Sequence, residues 1–510
     1  MSALLRPLKL WLALILAAVS GFALEASFPE RGWWPLAFIG MVLLLWSLVG
    51  RGPWTALLVG LVGGATFWGS LIQWLTLYLG PVPWLALAGL QTIFFGFGAM
   101  ALAVVLNRGN TRWPSRWGRY GVVPIVLAAL FTAREAVTSV WPYGGFSWGR
   151  LAHSQSEGPF VNLVAWLGTS GLSFIVALLA AVLFQVLRSG EARKVWPVFA
   201  VATVVALVVP PFAVNISGST RVLAVQGNSN SGLFSTYTPG EILQNHVSAT
   251  LPYAGEKVDM VVWPENGSDI DPLRNAMSAK TLDYVSNAFD APVVVGTITS
   301  PAPDTYFNSS LVWEAGIGAT AQYDKILTVP FAEYMPNREF FRALQPDLVD
   351  LVSRDYGLGT RPNVVDVAGI PAGIAICFDI SDDQQAYDMI AGGAQIILAQ
   401  TNNADFGHTD ESVQQLAIAR LRAIETGRSV VNISTVGTSA IIAPDGTTIN
   451  QLPTFTADAM LNDVPLSTTV TPAMAWGRTI ELTIIAIGLV GLFLVIIKNP
   501  RRRLTATQTA

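Results

Sequence analysis

Cysteine occurs once in the 510 residues, histidine three times, and charged residues make up only 13% of the chain. The lone Cys377 has no intramolecular disulfide partner, so no cross-link is expected to brace any domain. His153, His246 and His408 are too scattered for zinc-like spacing, and neither a metal nor another cofactor is expected. The net charge is −4 and the polar part holds no basic run interleaved with aromatic residues, which excludes the usual footprint of a nucleic-acid binder. Low-complexity tracts and fixed-period repeats are missing too, which excludes a solenoid.

Apolar residues fill the space that charge leaves. They make up 52% of the chain, and the mean hydropathy is +0.48. Eight stretches approach or exceed the ~17 residues that a bilayer-crossing helix needs: Leu8 to Leu24, Trp33 to Gly50, Trp54 to Leu79, Trp84 to Leu106, Val122 to Trp141, Phe160 to Leu187, Val195 to Val214 and Ile480 to Ile497. Basic residues cluster in alternate connections. Arg6 and Lys9 precede the first stretch, and Arg51 follows the second. Arg108, Arg112, Arg116 and Arg119 follow the fourth, Arg188, Arg193 and Lys194 the sixth, and Lys498 with Arg501 to Arg503 the last. The other connections hold little beyond Arg31 and Arg150. By the positive-inside rule both termini are expected in the cytoplasm, with the long polar segment facing outward.

That segment, about Thr220 to Thr471, is written differently. Short apolar runs (Val222 to Val225, Met260 to Trp263, Val293 to Val295, Ile374 to Ile376, Ile396 to Ala399, Val430 to Ile433) alternate with longer polar stretches. Leu416, Ile418, Leu421 and Ile424 repeat at helical spacing within Glu411 to Arg428. Strands alternating with helices predict a layered α/β domain. The expected organisation is a membrane bundle over residues 1–218 with seven spans, an extracytoplasmic α/β domain over 219–472, and a final span with a basic tail over 473–510.

Three residues in that domain carry chemistry. Cys377 ends the run Gly373 to Asp379, Glu265 closes Met-Val-Val-Trp-Pro-Glu, and Lys325 sits in Gln-Tyr-Asp-Lys. A thiol, a carboxylate and an amine beside short β-branched runs are a nucleophile, a general base and a cation for a developing oxyanion. Taken singly, each has a plainer explanation: a small buried hydrophobe, a turn carboxylate, a solvated lysine. Among the apolar spans, Arg134 and Glu135 are costly unless they pair or face a polar cavity, and both helix-to-helix glue and headgroup binding fit them.

At these positions the chain resembles the nitrilase superfamily and, more narrowly, the bacterial apolipoprotein N-acyltransferases. The likeness rests on Val225-Gln226-Gly227-Asn228, Trp263-Pro264-Glu265 and Tyr323-Asp324-Lys325, followed by Val329-Pro330-Phe331-Ala332-Glu333-Tyr334-Met335-Pro336 and Cys377-Phe378-Asp379. It continues through Thr401 to Gly407, Ala419 to Glu425 and Ala443-Pro444-Asp445-Gly446, and includes Gly145-Phe146-Ser147-Trp148 and Ser154-Gln155 in the apolar half.

The resemblance implies a helical membrane bundle of about eight spans carrying an αββα sandwich. It also implies transfer of a fatty acyl group from a phospholipid donor to the N-terminal amine of a diacylglyceryl-modified apolipoprotein, through a thioester on Cys377. Glu265 is then the general base. Lys325 and the Phe378 backbone N–H hold the oxyanion, and Glu333 positions Lys325 or supports the transition state. Asp379, Asn402, Phe406, Phe146, Trp148 and Arg134 are candidates for substrate binding. The expected partners are the donor lipid, the lipoprotein and the bilayer of the bacterial inner membrane, and a monomer is expected. The commonest pattern Cys-Tyr-Glu is here Cys377-Phe378-Asp379, and Asp405 stands where relatives carry Trp, departures that bear on substrate preference and rate. A membrane-tethered amidase, with water replacing the amine, is the alternative with the same catalytic parts.

Overall fold

The computed structural model describes residues 6–189, 192–229, 232 and 235–497; the basic residues Lys498 and Arg501 to Arg503 lie outside them. The chain divides into two compact units, Met1–Thr76 with Gly80–Pro210 and Trp476–Ala510, and Leu77–Leu79 with Pro211–Ala475.

The first unit is helical: α1 (Leu10–Glu25), α2 (Pro35–Ser47), α3 (Pro53–Leu71), the short α4 (Leu75–Leu79) leading out of it, α5 (Pro81–Arg112), α6 (Val123–Thr138), α7 (Leu163–Ser189) and α8 (Ala192–Leu207). Proline opens α2, α3 and α5, where its missing N–H costs nothing. Helices approach closely through small residues. A Cβ on Gly60 of α3 would meet the Ala99 Cβ of α5 at 2.4 Å, and one on Gly63 would meet the Ala17 carbonyl of α1 at 3.2 Å.

Each of the eight expected stretches contains a helix, but among the described residues five helices are long and apolar enough to cross a membrane: Pro53–Leu71, Pro81–Arg112, Gly118–Thr138, Leu163–Ser189 and Pro472–Ile496. The first two stretches yield helices of 16 and 13 residues. At 1.5 Å per residue the shorter spans about 20 Å, less than a hydrocarbon core of ~30 Å. The third stretch is interrupted, since α3 ends at Leu71 and Ile72 leaves helical geometry before α4 begins.

The second unit is built on two six-stranded sheets. Its strands are β1 (Ile216–Gln226), β2 (Met260–Val262), β3 (Val293–Ala302), β4 (Thr305–Glu314), β5 (Gly318–Asp324), β6 (Val364–Val367), β7 (Ile370–Ile376), β8 (Ile396–Thr401), β9 (Ser429–Ser434), β10 (Ala440–Ile442), β11 (Thr448–Gln451) and β12 (Asp458–Ser467). The helices are α9 (Glu241–Thr250), α10 (Ala276–Phe289), α11 (Arg338–Leu344), α12 (Pro346–Leu351), α13 (Asp383–Ala391) and α14 (Glu411–Thr426); α15 (Pro472–Ile496) follows the last strand and from Trp476 belongs to the first unit. The sheet orders are β12-β1-β2-β3-β4-β5 and β11-β10-β9-β8-β7-β6.

Alternation along β1 explains the layers. Val222 and Ala224 join Met260, Val262, Val294 and Tyr323 against Ile374, Ile376, Leu398, Val431 and Ile433 of the other sheet. Leu223 and Val225 point the opposite way, onto Leu243 and Val247 of α9 and Leu282, Val285 and Phe289 of α10. Both faces of the parallel strands are covered, which is why their sequences read as nearly unbroken apolar runs. The result is the αββα sandwich expected for this segment, with β1 and β2 parallel in one sheet and β7 and β8 parallel in the other, and Glu265 and Cys377 follow β2 and β7.

Candidate active site

Glu265, Lys325 and Cys377 each stand just beyond a strand, where the backbone leaves the ladder and a side chain can turn away from the core. Glu265 follows β2, and Gly296 on β3 makes room for it: a Cβ there would meet the Pro264 carbonyl at 2.4 Å and the Glu265 Cα at 2.7 Å. Lys325 follows β5, and its N–H bonds the Asn308 carbonyl of β4 at 2.8 Å. Cys377 follows β7 with φ +51°, a left-handed conformation that a non-glycine residue adopts at a cost. There it opens a tight 3-10 turn, Cys377–Ser381.

The structure brings four of the expected residues together. Lys325 Nζ lies 2.9 Å from Glu333 Oε2 and 3.9 Å from Glu265 Oε1, with the ammonium 1% exposed. Asn308, which sequence reasoning missed, bridges the two carboxylates: its Nδ2 donates to Glu265 Oε1 at 2.7 Å and to Glu333 Oε1 at 2.8 Å. Glu333 is held in turn by the Val329 N–H at 2.7 Å, and its own carbonyl accepts from the Tyr356 N–H at 2.7 Å. An asparagine on a strand is locally unfavourable, and that was the one signal pointing to Asn308.

Burial and mutual charge set the protonation of this group. Burial pushes the Glu265 carboxyl up to about 7; Lys325 opposes that shift and Glu333 reinforces it. Burial disfavours the Lys325 ammonium, but Glu333, Glu265 and the Cys377 sulfur outweigh it, and the group stays firmly charged. The Cys377 thiol is held well above its ordinary range by burial and by Glu265, with Lys325 pulling the other way. The resting pair is therefore a thiol beside a carboxylate poised near neutrality.

The remaining expected residues are more dispersed. Asp379 is fully buried behind the turn, and its carboxylate takes the Tyr323 hydroxyl at 2.9 Å, the Ile376 N–H at 3.1 Å and the Leu327 N–H at 3.2 Å. It thus braces the chain after Lys325 against the Cys377 turn. Burial pushes its carboxyl up to about 7. Phe378 is buried beside it. Asn402 accepts from the Thr435 hydroxyl at 2.8 Å, and Phe406 ends the short 3-10 turn Ala404–Phe406.

Phe146, Trp148 and Arg134 belong to the first unit. The Phe146 and Trp148 rings stack with centroids 6.1 Å apart, and Trp148 also meets Trp74 at 5.7 Å. The Arg134 guanidinium lies over Phe95 and Phe131 at 4.6 and 4.4 Å and pairs with Glu135 at 3.4 Å.

Three more polar residues missed in the sequence form a cluster that reaches the thiol through Gln415. Gln415 and Glu411, four apart on α14, and Asn403 after β8 are all buried. The signal for Gln415 and Glu411 was polar side chains on the inward face of a helix whose apolar stripe drew attention instead. Arg422, further along α14, bonds the carbonyls of Ile380 and Ser381 at 3.0 Å each and ties the helix to the Cys377 turn. Among the described residues no group of three or more His, Cys, Asp or Glu side chains is arranged to hold a metal ion.

An ammonium gripped by two carboxylates, beside a thiol on a strained turn, can form and resolve a covalent acyl intermediate. Residues 20–182 match the apolipoprotein N-acyltransferase N-terminal domain, and residues 221–471 match the carbon-nitrogen hydrolase domain. An apolipoprotein N-acyltransferase of Mycolicibacterium smegmatis is 35% identical over 94% of this chain and 84% of its own length. One from Vibrio cholerae is 26% identical over 93% and 94%. A solved amidase from Nesterenkonia is 15% identical with a TM-score of 0.38, over 50% of this chain and 94% of that one. On its full-length relatives and on both matched domains, the chain belongs to the apolipoprotein N-acyltransferases and is an acyltransferase.

Proposed function

We propose that this chain moves a fatty acyl group from a membrane phospholipid to the N-terminal amine of a diacylglyceryl-cysteine on an apolipoprotein, by a ping-pong path through a thioester on Cys377. The observation that carries the reading is the single ammonium of Lys325, 2.9 Å from Glu333 and 3.9 Å from Glu265, which favours a thiolate at Cys377 against burial and the carboxylates. In the first half Glu265 takes the thiol proton and sulfur attacks the donor ester carbonyl. The C–O bond then breaks and a lysophospholipid leaves with a proton from Glu265. Lys325 and the Phe378 N–H stabilise the oxyanion. Glu333 and Asn308 keep Lys325 and Glu265 in register.

In the second half the lipoprotein amine attacks the thioester carbonyl, and Glu265 accepts the amine proton. The C–S bond breaks, and the thiolate recovers that proton. The loop between β5 and β6 suits a lipid donor. Phe331 and Phe341 pack on Met335, Val349 and Val352, while Phe340 and Leu344 of α11 remain more than half exposed. Mass spectrometry of the purified protein after incubation with phospholipid should find an acyl mass on the Cys377 peptide, discharged by a diacylglyceryl lipopeptide. Discharge by water at the same rate would favour the amidase chemistry.

We further propose the inner membrane as the location, with the second unit on the extracytoplasmic face, on the alternation of basic connections. A cysteine placed at Ser219 in a Cys377→Ala background should react with a membrane-impermeant thiol reagent in intact cells. Protection at that site until lysis would reverse the orientation and remove the access to lipoproteins that this function needs.

A further inference from the structure

A chain of hydrogen bonds from α14 ends on the nucleophile. Gln415 Nε2 lies 3.8 Å from Cys377 Sγ. A side-chain amide can present either its oxygen or its NH2 group, and the neighbours decide which. Gln415 Oε1 accepts from Asn403 Nδ2 at 2.9 Å, so the NH2 group faces the sulfur. Asn403 is oriented from both ends: its Oδ1 takes the hydroxyls of Ser434 at 2.5 Å and Thr401 at 3.1 Å, and its Nδ2 also reaches Glu411 Oε2 at 2.7 Å. Glu411 is 2% exposed and pairs with no cation among the described residues. Its place in the first turn of α14 favours a carboxylate there, but not one withdrawn from water and aimed at the site.

We propose that Gln415 is a thiolate-binding residue: its Nε2–H donates to the Cys377 sulfur once the thiol proton has moved to Glu265, with Asn403 and Glu411 as positioning residues that hold the amide in that sense. This rests on Cys377 as the nucleophile. The charged groups acting on the sulfur are Glu265 beyond β2, Lys325 beyond β5, Glu333 in the loop that follows and Glu411 on α14, and of these only Lys325 favours the anion. Gln415 adds a donor without adding charge. A thioester sulfur is a poor acceptor, so the bond is strong only when sulfur carries charge, at thiol ionisation and at thiolate departure. No proton is transferred through the amide.

Cys377 is the only cysteine of the chain, so the pH profile of iodoacetamide alkylation of the full-length protein in detergent reads its ionisation alone. Gln415→Met removes the donor at similar volume. It should move the midpoint of the profile upward and slow alkylation at neutral pH by about 10-fold, the loss expected for one hydrogen bond to an anion. Glu411→Gln keeps an acceptor for Asn403 and removes a negative charge, so its midpoint should stay or move down. Opposite signs separate a hydrogen bond from a charge effect.

Where Gln415→Met does not fold, Gln415→Leu carries the same measurement. An unchanged midpoint in a donor-free variant that melts like the wild type overturns the proposal, as does an upward shift in Glu411→Gln equal to that in Gln415→Met. A wild-type protein that alkylates with the expected profile but forms no thioester with phospholipid overturns the nucleophile assignment and leaves the Gln415 contact standing.

Discussion

Both units bury charge, but they balance it differently. In the helical unit the guanidinium groups match the carboxylates: Arg134 pairs with Glu135, Arg150 lies 4.0 Å from Glu481, and Ser170 joins the last two by accepting from Arg150 and donating to Glu481 at 2.6 Å each. In the active site of the α/β unit one ammonium, Lys325, faces Glu265 and Glu333, and Asp379 and Glu411 are buried near by, whereas the buried Arg422 away from Lys325 is matched by Asp383 and Glu425. Paired charges in a low-dielectric interior have nowhere to send a proton and act as fixed links between helices. An excess of carboxylates over cations leaves some of them close to neutrality. Burial, with Glu265 adding to it and the Asn403 hydrogen bond opposing it, carries Glu411 up to about 8, and groups in that range can give and take protons during a reaction.

The comparison predicts that changes in the two regions fail in different ways. The largest effect is expected at the nucleophile: Cys377→Ala and Cys377→Ser should abolish acyl transfer while the purified protein melts as the wild type does. Normal levels of N-acylated lipopeptide from the Ala variant would remove the mechanism. Next is Glu265→Gln, which loses the base and should slow thioester formation by roughly 10²–10⁴-fold in a single-turnover assay. Rapid thioester build-up in that variant would mean another group deprotonates Cys377.

Lys325→Ala and Glu333→Ala should each cost on the order of 10² in both half-reactions, because both act on the oxyanion cation. A loss confined to one half would separate their roles. For the wild type, thioester formation should fall about 10-fold for each unit of pH below about 7 and level off above it. The sign follows from the raised Glu265 carboxyl, which is protonated and unable to accept the thiol proton on the acid side. A rate that rises as the pH falls would contradict the base assignment.

The smallest effect on chemistry is expected from Arg134→Leu. It removes a cation held by Glu135 and two aromatic faces, so it should lower stability by about 3 kcal/mol and leave single-turnover thioester formation within about two-fold. Unchanged melting with a collapsed thioester rate would make Arg134 a substrate-binding residue and erase the contrast between the regions.

Much of this was readable in one dimension. Strand ends are visible as the places where an apolar run meets a polar residue, so Glu265, Lys325 and Cys377 could be picked out, and the ordered motifs tied them to a family. Long apolar stretches announced membrane helices, because hydrocarbon demands length and hydropathy and little else. Helix ends inside those stretches were not readable: the break at Ile72 and the 13-residue length of α2 depend on how neighbouring helices pack.

The polar neighbours were hidden for a related reason. Asn308 reaches Glu265 and Glu333 from a strand 43 and 25 residues away, and Gln415 meets Cys377 across 38 residues. The local marks, an asparagine on a strand and a polar side chain on the inward face of a helix, do not say what such residues meet, since a hydrogen bond across the fold leaves no period and no spacing in the chain. Sequence determined which chemistry the protein carries, because nucleophile, base and cation are properties of residue types. Tertiary structure alone decided their protonation and orientation, because burial, opposing charges and the direction of an amide exist only once distant segments are packed together.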